Sequence, residues 1–398
     1  MYNEFEHYTN RGPTNEFKDA SSTPPRIKNV GWTLGNFCPN KCKHCYSLSA
    51  RLIGANMTKK IIDRIVSQLK KNKIETVNLG GNEPIYTNGP RIQDSLLPYI
   101  IQKLNKAKIQ VGITSSGITL LYLYNNDKKT FNLINDVDIS LDSPFENEHN
   151  ENRGAKLYQS AIECLEICKK EKKPHSVIMA AMNWNFDKKH LKALVDLCKK
   201  YDANVRINVI KPFNKEHYKT ILTPKQFYEG FSFLIKQCTS VDIGEPLLRS
   251  ATELKHHGRC PCGVSSFRIH SITPTGEIYV SPCVYLHDYK SSQNLLKVEL
   301  SDIINSPEFI VFRQRNAHPE LIEGCSGCKF IDSCGGGCAA RSYLHHAILT
   351  GKKSFKQKEP YCLKENNFKN KFMRVKKLET SEKLVHMDYL CTWIGKPK

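Results

Sequence analysis

Three cysteines with an unusual spacing stand near the start of the chain. Cys38, Cys42 and Cys45 lie in the stretch GNFCPNKCKHCYS, directly after the short apolar run VGWTL. A disulfide uses two thiols, and zinc prefers four ligands, for which His44 is the only further candidate within the loop. Three thiolates that leave one coordination position open suit a four-iron four-sulfur cluster, in which one iron stays free for an exchangeable ligand.

A second group of cysteines stands in the last third of the chain, where helical periodicity gives way to stretches rich in Gly, Pro and Cys. A segment with so little regular apolar pattern needs another source of cohesion, and its thiols offer metal binding. CxxC pairs also build zinc ribbons, so zinc is an alternative to iron and sulfide here. The cysteines of this segment are Cys260, Cys262, Cys283, Cys325, Cys328, Cys334, Cys338 and Cys362.

The bulk composition indicates a reducing environment for these thiols. The 398 residues include 16 cysteines, yet the N-terminal stretch MYNEFEHYTNRGPTNEF is polar and acidic, whereas a secretory signal peptide has a basic and then an apolar segment. No apolar run approaches the roughly 18 residues that a membrane span requires. We therefore expect a cytoplasmic protein without a membrane anchor, whose thiols are ligands or core residues.

The formal net charge of +20 would suit an acidic or nucleic-acid partner. The lysines, however, fall in scattered pairs such as Lys59-Lys60 and Lys199-Lys200, at the polar ends of amphipathic segments, which is typical of solvated helix faces. No basic run is interleaved with aromatic residues. The charge pattern therefore argues against nucleic acid as the partner.

Short apolar runs alternate with helical patterns from about residue 28 to about residue 236. Six runs, NVGWTL, TVNLGG, QVGITSS, VDISLD, SVIMAAM and VRINVI, are the turn-bounded, β-branched segments that predict buried strands. Between them apolar residues recur at helical spacing, as in Ile62, Ile65, Val66 and Leu69. Such an alternation implies parallel βα units, whose functional groups collect at the carboxyl ends of the strands. We predict an α/β fold, a partial (β/α)6 TIM-like barrel followed by a small cysteine-rich domain.

The chain divides into four parts on this pattern. Residues 1–27 precede the first strand, residues 28–249 form the predicted partial barrel, residues 250–366 form the cysteine-rich domain, and residues 367–398 form a basic tail. Cysteines that share an apolar helical stripe, such as Cys164 with Cys168, or Cys238 with Phe231, are expected to be ordinary core thiols.

The CxxxCxxC spacing of the first three cysteines, the aromatic Tyr46 that follows them and the strand before the loop resemble the radical S-adenosylmethionine (radical SAM) superfamily. NLGGNEP is similar to the family's Gly-Gly-Glu motif with Asn82 inserted, TSSG is similar to its Thr-Asn-Gly turn, and SLDSPFENEHNENRG is similar to its ribose motif. The resemblance implies that Cys38, Cys42 and Cys45 bind a four-iron cluster, whose open iron S-adenosylmethionine chelates through its amino and carboxylate groups. An electron from the reduced cluster would split a carbon-sulfur bond, and the resulting 5'-deoxyadenosyl radical would abstract a hydrogen atom from the substrate.

The same resemblance assigns cofactor contacts at the strand ends. Gly80 and Gly81 would let the backbone approach the ligand closely, and Glu83 would accept a hydrogen bond from the methionine ammonium. Ser140 would bond the ribose hydroxyls, and Arg153 would pair with the cofactor carboxylate, which fits a guanidinium fork. The full set of expected cofactor contacts is Gly80, Gly81, Glu83, Ser115, Ser140, Arg153 and Asn185.

The later cysteines resemble the SPASM domain, the auxiliary-cluster extension of radical SAM enzymes, over roughly residues 255 to 365. This resemblance implies two auxiliary four-iron clusters, with the fourth cysteine of CSGCKFIDSCGGGC crossing over to the first of them. Cys260, two residues before Cys262, is either the fourth ligand of auxiliary cluster 1 or a spectator. The implied ligands are Cys260, Cys262, Cys283 and Cys338 for auxiliary cluster 1, and Cys325, Cys328, Cys334 and Cys362 for auxiliary cluster 2.

Relatives with a SPASM domain mostly modify ribosomally made peptides or proteins, so the resemblance implies a peptide maturase that forms a thioether, a carbon-carbon crosslink or an oxidised product. The alternatives are a radical SAM enzyme acting on a sugar, nucleotide or antibiotic intermediate, and a non-catalytic iron-sulfur electron carrier or scaffold, against which the intact cofactor-binding set argues. The resemblance also implies an electron donor of the flavodoxin or ferredoxin type. No catalytic acid or base can be singled out from the sequence.

Overall fold

The computed structural model describes residues 12–47, 54–252, 259–286, 289–366, 375, 378, 384–387 and 389–398. Its ten strands form one sheet. In chain order they are β1 (Asn29–Thr33), β2 (Thr76–Gly80), β3 (Gln110–Ser115), β4 (Asp136–Ser140), β5 (His175–Ala181), β6 (Asn204–Val209), β7 (Cys238–Ile243), β8 (Ser266–Ile269), β9 (Val280–Ser281) and β10 (Trp393–Pro397).

The six strands predicted from the sequence are confirmed as β1 to β6. Each pairs in parallel with the next along the chain, as the alternation of strands and helices predicts. The strand order is β7-β10-β6-β5-β4-β3-β2-β1-β8-β9. Because this order ends at β7 on one side and at β9 on the other, the described sheet is open, which confirms the α/β fold with a partial barrel.

Helices follow the parallel strands as connections. On the first of them, Ile62, Ile65 and Leu69 are fully buried, so the apolar stripe faces the sheet. The Thr58 side chain caps this helix by accepting a hydrogen bond from the backbone N–H of Ile61. The described α-helices are α1 (Lys59–Lys71), α2 (Leu97–Lys106), α3 (Ile118–Asn126), α4 (Lys128–Asn132), α5 (Glu146–Arg153), α6 (Tyr158–Lys170), α7 (Lys188–Tyr201), α8 (Lys215–Tyr218), α9 (Pro224–Gln237), α10 (Pro246–Ala251), α11 (Leu300–Ile303), α12 (Pro307–Ala317), α13 (Ile331–Cys334) and α14 (Ala339–Thr350).

The cysteine-rich segment continues the sheet of the partial barrel. Strand β8 pairs in parallel with β1, and β9 pairs antiparallel with β8. The two parts that the sequence pattern separates at residue 250 therefore share one sheet. This arrangement brings the cysteines around β8 and β9 next to the turn that follows β1.

The C-terminal segment supplies a strand inside the sheet. Strand β10 runs antiparallel to both of its neighbours, β6 and β7, and lies between them. Trp393 and Ile394 are fully buried, and the indole Nε1 of Trp393 donates a hydrogen bond to Ser240 Oγ at 3.2 Å. The segment that the sequence pattern sets apart as a basic tail therefore ends in an internal strand.

The main hydrophobic core lies between the sheet and its helices. It contains Cys164, Cys168, Cys198 and Cys238, all buried among apolar side chains, as expected for core thiols. Within the described ranges, no helix is both long and apolar enough to cross a lipid bilayer.

Replacing Trp393 with alanine should lower the free energy of unfolding by about 3–5 kcal/mol, because the change leaves a cavity in the core beside the Phe231 ring of α9. Urea denaturation monitored by circular dichroism measures this difference. Lys396→Ala, on the same strand but with a partly exposed side chain, is the control and should change stability by about 0.5 kcal/mol or less. Equal unfolding midpoints for the two variants would contradict the internal position of β10.

Candidate functional site

A cavity opens at the carboxyl ends of the parallel strands, where the turns after β1 to β4 meet. Gly80 and Asn185, both within the described residues, do not line this cavity, but each makes a hydrogen bond to a residue that does: Gly80 to Arg268 and Asn185 to Ala180. The predicted site residues in its wall are Cys38, Cys42, Cys45, Gly81, Glu83, Ser115, Ser140 and Arg153.

The three cysteines after β1 are partly buried at this cavity. Burial raises the pKa of the Cys38 thiol to about 12 and that of Cys42 to about 11, while the nearby Arg153 charge pulls the pKa of Cys42 down. Without a metal both thiols therefore keep their protons at neutral pH. A metal centre binds thiolates, so loading this site releases protons.

Arg153 is held beside Cys42 by a buried carboxylate. Its Nε donates to Asp142 Oδ2 at 2.6 Å and its Nη2 donates to Asp142 Oδ1 at 3.0 Å. Burial alone would raise the pKa of the Asp142 carboxyl, but the Arg153 charge brings this pKa below its usual range. Sequence reasoning missed Asp142, although its place two residues after Ser140, at the end of β4, was a usable signal.

Asn185 fixes the backbone that carries Asp142, the acidic partner in this ion pair. Its amide Nδ2 donates to the backbone oxygen of Asp142 at 2.7 Å and to that of Ala180 at 2.9 Å, and its Oδ1 accepts from the backbone N–H of Met182. The side chain is fully buried. The structure therefore gives Asn185 contacts within the protein, where the family resemblance implied a contact with the cofactor.

Glu83 lies at the wall of the cavity, and its carboxylate accepts five hydrogen bonds from the turn after β3. Ser115 Oγ donates to Oε1 at 2.6 Å, and Ser116 donates to Oε2 through its backbone N–H at 2.9 Å and its hydroxyl at 2.5 Å. The backbone N–H and the hydroxyl of Thr119 both donate to Oε1. A carboxylate offers roughly four lone-pair sites, so these donors saturate it.

Gly81 makes the sharp turn after β2 with a φ of +96°, and a side chain there would collide with Thr33 and the Arg268 guanidinium. Arg268 comes from β8, is fully buried and lines the cavity. It donates through Nε to Thr33 Oγ1 at 2.6 Å, through Nη2 to the Gly80 oxygen at 2.9 Å and through Nη1 to the Tyr389 hydroxyl at 3.0 Å. Sequence reasoning missed Arg268, because nothing near it marks its strand as part of the barrel sheet.

The four cysteines predicted for auxiliary cluster 1 lie together and are buried. The nearby thiols of Cys262 and Cys338 lower the pKa of the Cys260 thiol, and those of Cys260 and Cys283 raise the pKa of the Cys262 thiol. The backbone oxygen of Cys260 accepts from Asn316 Nδ2 at 2.9 Å, which fixes the segment before β8. We call this group the first auxiliary site.

The four cysteines predicted for auxiliary cluster 2, which we call the second auxiliary site, line a separate cavity: Cys325, Cys328, Cys334 and Cys362. A buried ion network joins the two sites. Arg341, on α14, donates to both oxygens of Glu245 at 2.9 and 3.0 Å, and to Glu359 Oε1 at 2.6 Å. The other oxygen of Glu359 accepts from the backbone N–H of Cys338 at 2.9 Å. The three buried charges therefore fix the start of α14 relative to the loop that carries Cys362.

The donor chemistry of all three sites fits iron-sulfur clusters. Every cysteine in them is a free thiol, and soft thiolates select iron-sulfur clusters among metal centres. Among the described residues, no three His, Cys, Asp or Glu side chains converge as closely as the ligands of one metal ion do.

The first auxiliary site adjoins the cavity that holds the three-cysteine loop. The rings of Tyr46, next to Cys45, and Tyr285, two residues after Cys283, meet edge to face with their centroids 5.1 Å apart. Tyr285 also lines the cavity. Auxiliary site and cavity are therefore separated by little more than this aromatic pair.

Comparison with solved structures supports the fold. SuiB of Streptococcus suis, bound to S-adenosylmethionine, is 17% identical with a TM-score of 0.61, and the match covers 84% of this chain and 76% of SuiB. The protein anSMEcpe, also with bound S-adenosylmethionine, is 17% identical with a TM-score of 0.62, covering 86% of this chain and 95% of that one. These proteins share the architecture described above.

Sequence comparison covers both parts of the chain. Mycofactocin maturase MftC of Mycobacterium ulcerans is 23% identical over 335 residues, which are 80% of this chain and 85% of MftC. The radical SAM superfamily model matches residues 32–221, and the SPASM model, an iron-sulfur cluster-binding domain, matches residues 260–329. Together the two matches cover more than half of the chain, which belongs to the radical SAM superfamily and carries a SPASM domain after its partial barrel.

Proposed function

We propose that this radical SAM enzyme uses S-adenosylmethionine to abstract a hydrogen atom from a ribosomally synthesised peptide, and so installs a thioether, a carbon-carbon crosslink or an oxidised group. One observation carries the proposal. The three-cysteine loop and the turns after β2 to β4 meet at a single cavity, and the first auxiliary site adjoins this cavity across the Tyr46–Tyr285 pair.

In this proposal Cys38, Cys42 and Cys45 hold the cluster that binds S-adenosylmethionine. When reduced, that cluster would supply the electron that cleaves the sulfonium of the cofactor, and the residues around the cavity would orient and shield the bound molecules. Arg153, fixed by Asp142, places a buried positive charge next to Cys42. This charge stabilises the thiolate form that the cluster needs.

The turns after β2 to β4 form the remainder of the cofactor site in this proposal. Gly81 allows close approach of the backbone, and Ser140 presents its hydroxyl at the cavity wall for the ribose. Glu83 holds Ser115 and the rest of the turn after β3, so it acts on the cofactor through the geometry of that turn. Asn185 acts in the same indirect way, by fixing the backbone of Asp142.

The cysteines of the SPASM region are proposed as ligands of two auxiliary clusters: Cys260, Cys262, Cys283 and Cys338 for the first, and Cys325, Cys328, Cys334 and Cys362 for the second. The first of these sites is close enough to the cavity to accept an electron from a peptide bound there, across the wall formed by Tyr46 and Tyr285.

The peptide substrate is supported by what the relatives bind. MftC is named as a maturase, one structure of SuiB contains its precursor peptide SuiA, and one structure of anSMEcpe contains a peptide with S-adenosylmethionine. An electron donor of the flavodoxin or ferredoxin type would reduce the first cluster. Because all 16 cysteines are free thiols, a reducing compartment such as the cytoplasm suits the protein.

Replacing Cys38, Cys42 and Cys45 together with alanine should abolish the release of 5'-deoxyadenosine, because no thiolate remains to hold the cluster at the cavity. Chromatography of anaerobic reactions with dithionite and S-adenosylmethionine measures the product. Cys238→Ala, which removes a buried core thiol, is the control and should retain the activity. Release of 5'-deoxyadenosine by the triple variant would refute the role of this loop.

Anaerobic incubation with a reductant, S-adenosylmethionine and the short peptide encoded beside the gene should convert that peptide to a product that has lost hydrogen. Mass spectrometry measures the change, and the triple cysteine variant serves as the inactive control. If 5'-deoxyadenosine forms while the peptide stays unchanged and a sugar or nucleotide is consumed instead, the peptide substrate is excluded and the small-molecule alternative holds.

The Glu83→Gln variant should unfold more easily than the wild type even without S-adenosylmethionine, because an amide group would face donors that need an acceptor. We expect a loss of about 1–3 kcal/mol in the free energy of unfolding, measured by urea denaturation. Glu75→Gln, which changes a more exposed carboxylate, is the matched control. Wild-type stability combined with weaker cofactor binding would instead make Glu83 a direct cofactor contact.

A further inference from the structure

A fifth thiol reaches the first auxiliary site from a distant part of the chain. Cys391 precedes β10 by two residues and is buried in the same cluster as the four cysteines predicted there. Its Sγ lies 3.7 Å from Cys260 Sγ. The cysteine motifs at residues 260–362 gave no sign of this residue, which lies 29 positions beyond Cys362.

The position of Cys391 is fixed from both sides by contacts that need no metal. After it, the backbone of Trp393 pairs with β6 and β7, and its indole donates to Ser240 Oγ. Before it, the backbone oxygen of Tyr389 accepts from Ser266 Oγ at 2.8 Å, and the Tyr389 hydroxyl accepts from Arg268. The thiol is therefore presented to the site by the fold itself.

Five thiols exceed what one cluster can use, because a four-iron cluster has four positions for protein thiolates. Two thiols in direct contact approach the same position. We propose that Cys391 is a ligand of auxiliary cluster 1, at the iron position that it reaches together with Cys260, so that either thiol completes the set formed by Cys262, Cys283 and Cys338. On binding iron the thiol of Cys391 gives up its proton and coordinates as the thiolate.

Ligation by Cys391 would join the auxiliary cluster to the wall of the cavity. Tyr389 and Leu390, which directly precede Cys391, both line the cavity. A change of ligand between Cys260 and Cys391 therefore alters a segment that faces the bound substrate. This inference rests on the proposed function only in requiring that the auxiliary cluster is present.

The test uses full-length, anaerobically reconstituted protein in which Cys38, Cys42 and Cys45 are alanine, so that only the auxiliary clusters remain. Brief oxidation removes an iron that lacks a protein thiolate and leaves a three-iron cluster, which gives a characteristic electron paramagnetic resonance (EPR) signal. We expect no three-iron signal from the variant with these three alanines, nor from the same variant with Cys260→Ala in addition. Adding both Cys260→Ala and Cys391→Ala should produce the signal and lower the iron content by about one atom per chain.

Two further variants separate the loss of a ligand from general damage. Cys391→Val combined with Cys260→Ala fills the space of the thiol without a donor atom and should give the same signal as the alanine pair. Cys238→Ala combined with Cys260→Ala removes an unrelated buried thiol and should remain silent. Circular dichroism of each variant checks that the fold is retained.

The proposal is overturned if Cys260→Ala alone gives the full signal, because Cys391 then does not replace the lost ligand. It is equally overturned if the pair of alanines gives none. A wild-type chain that binds no iron and sulfide would overturn the proposed function as well. If the wild type contains its clusters but Cys260→Ala alone gives the three-iron signal, only the role of Cys391 is overturned.

Discussion

The parallel alignment of β1 to β6 determines where the groups that follow these strands lie in the cavity. Because these strands run in the same direction, the turns that follow them meet at one edge of the sheet. The three-cysteine loop follows β1, Gly81 follows β2, Ser115 ends β3 and Ser140 ends β4. A slip of one residue in any of these pairings would turn the side chains of that strand to the opposite face. The register therefore fixes the site before any cofactor binds.

Buried charges hold the irregular segments that carry the chemistry. The turn after β3 depends on Glu83, the end of α5 depends on the pair of Asp142 with Arg153, and the start of α14 depends on Arg341. These segments lack the continuous backbone hydrogen bonds of a strand or a long helix, so side-chain hydrogen bonds and ion pairs fix their conformation. Breaking such a pair by removing one partner leaves a buried charge unpaired, which costs about 3–5 kcal/mol. The cysteines are thus presented by a network that is independent of the clusters themselves.

Sequence pattern predicted the parts of the fold that are encoded locally. Strands β1 to β6 are short β-branched runs bounded by turns, and the stripe on α1 has helical spacing, so both could be read from neighbouring residues. The strand β10 could not be read in this way. Its sequence WIGKP contains Gly and Pro, which disfavour strands, and its partners β6 and β7 lie about 150 residues or more away in the chain. Its place in the sheet depends on tertiary packing of Trp393.

The site residues also divide into those that a local sequence pattern reveals and those that only the folded chain brings together. The CxxxCxxC motif and the glycine turn after β2 are local patterns, and both are found at the cavity. Arg268 and Cys391 reach their sites from β8 and from the approach to β10, so only the folded chain reveals them. The full set of donors to Glu83 likewise depends on how the turn after β3 packs.

The central claim is that the first three cysteines leave one iron of their cluster open to S-adenosylmethionine at this cavity. EPR of the reduced, reconstituted protein tests it most directly, with and without S-adenosylmethionine, in a variant whose auxiliary cysteines are replaced by alanine. The account predicts a four-iron signal that changes shape when S-adenosylmethionine is added. A signal that does not respond to the cofactor, or the absence of any four-iron signal, would contradict it.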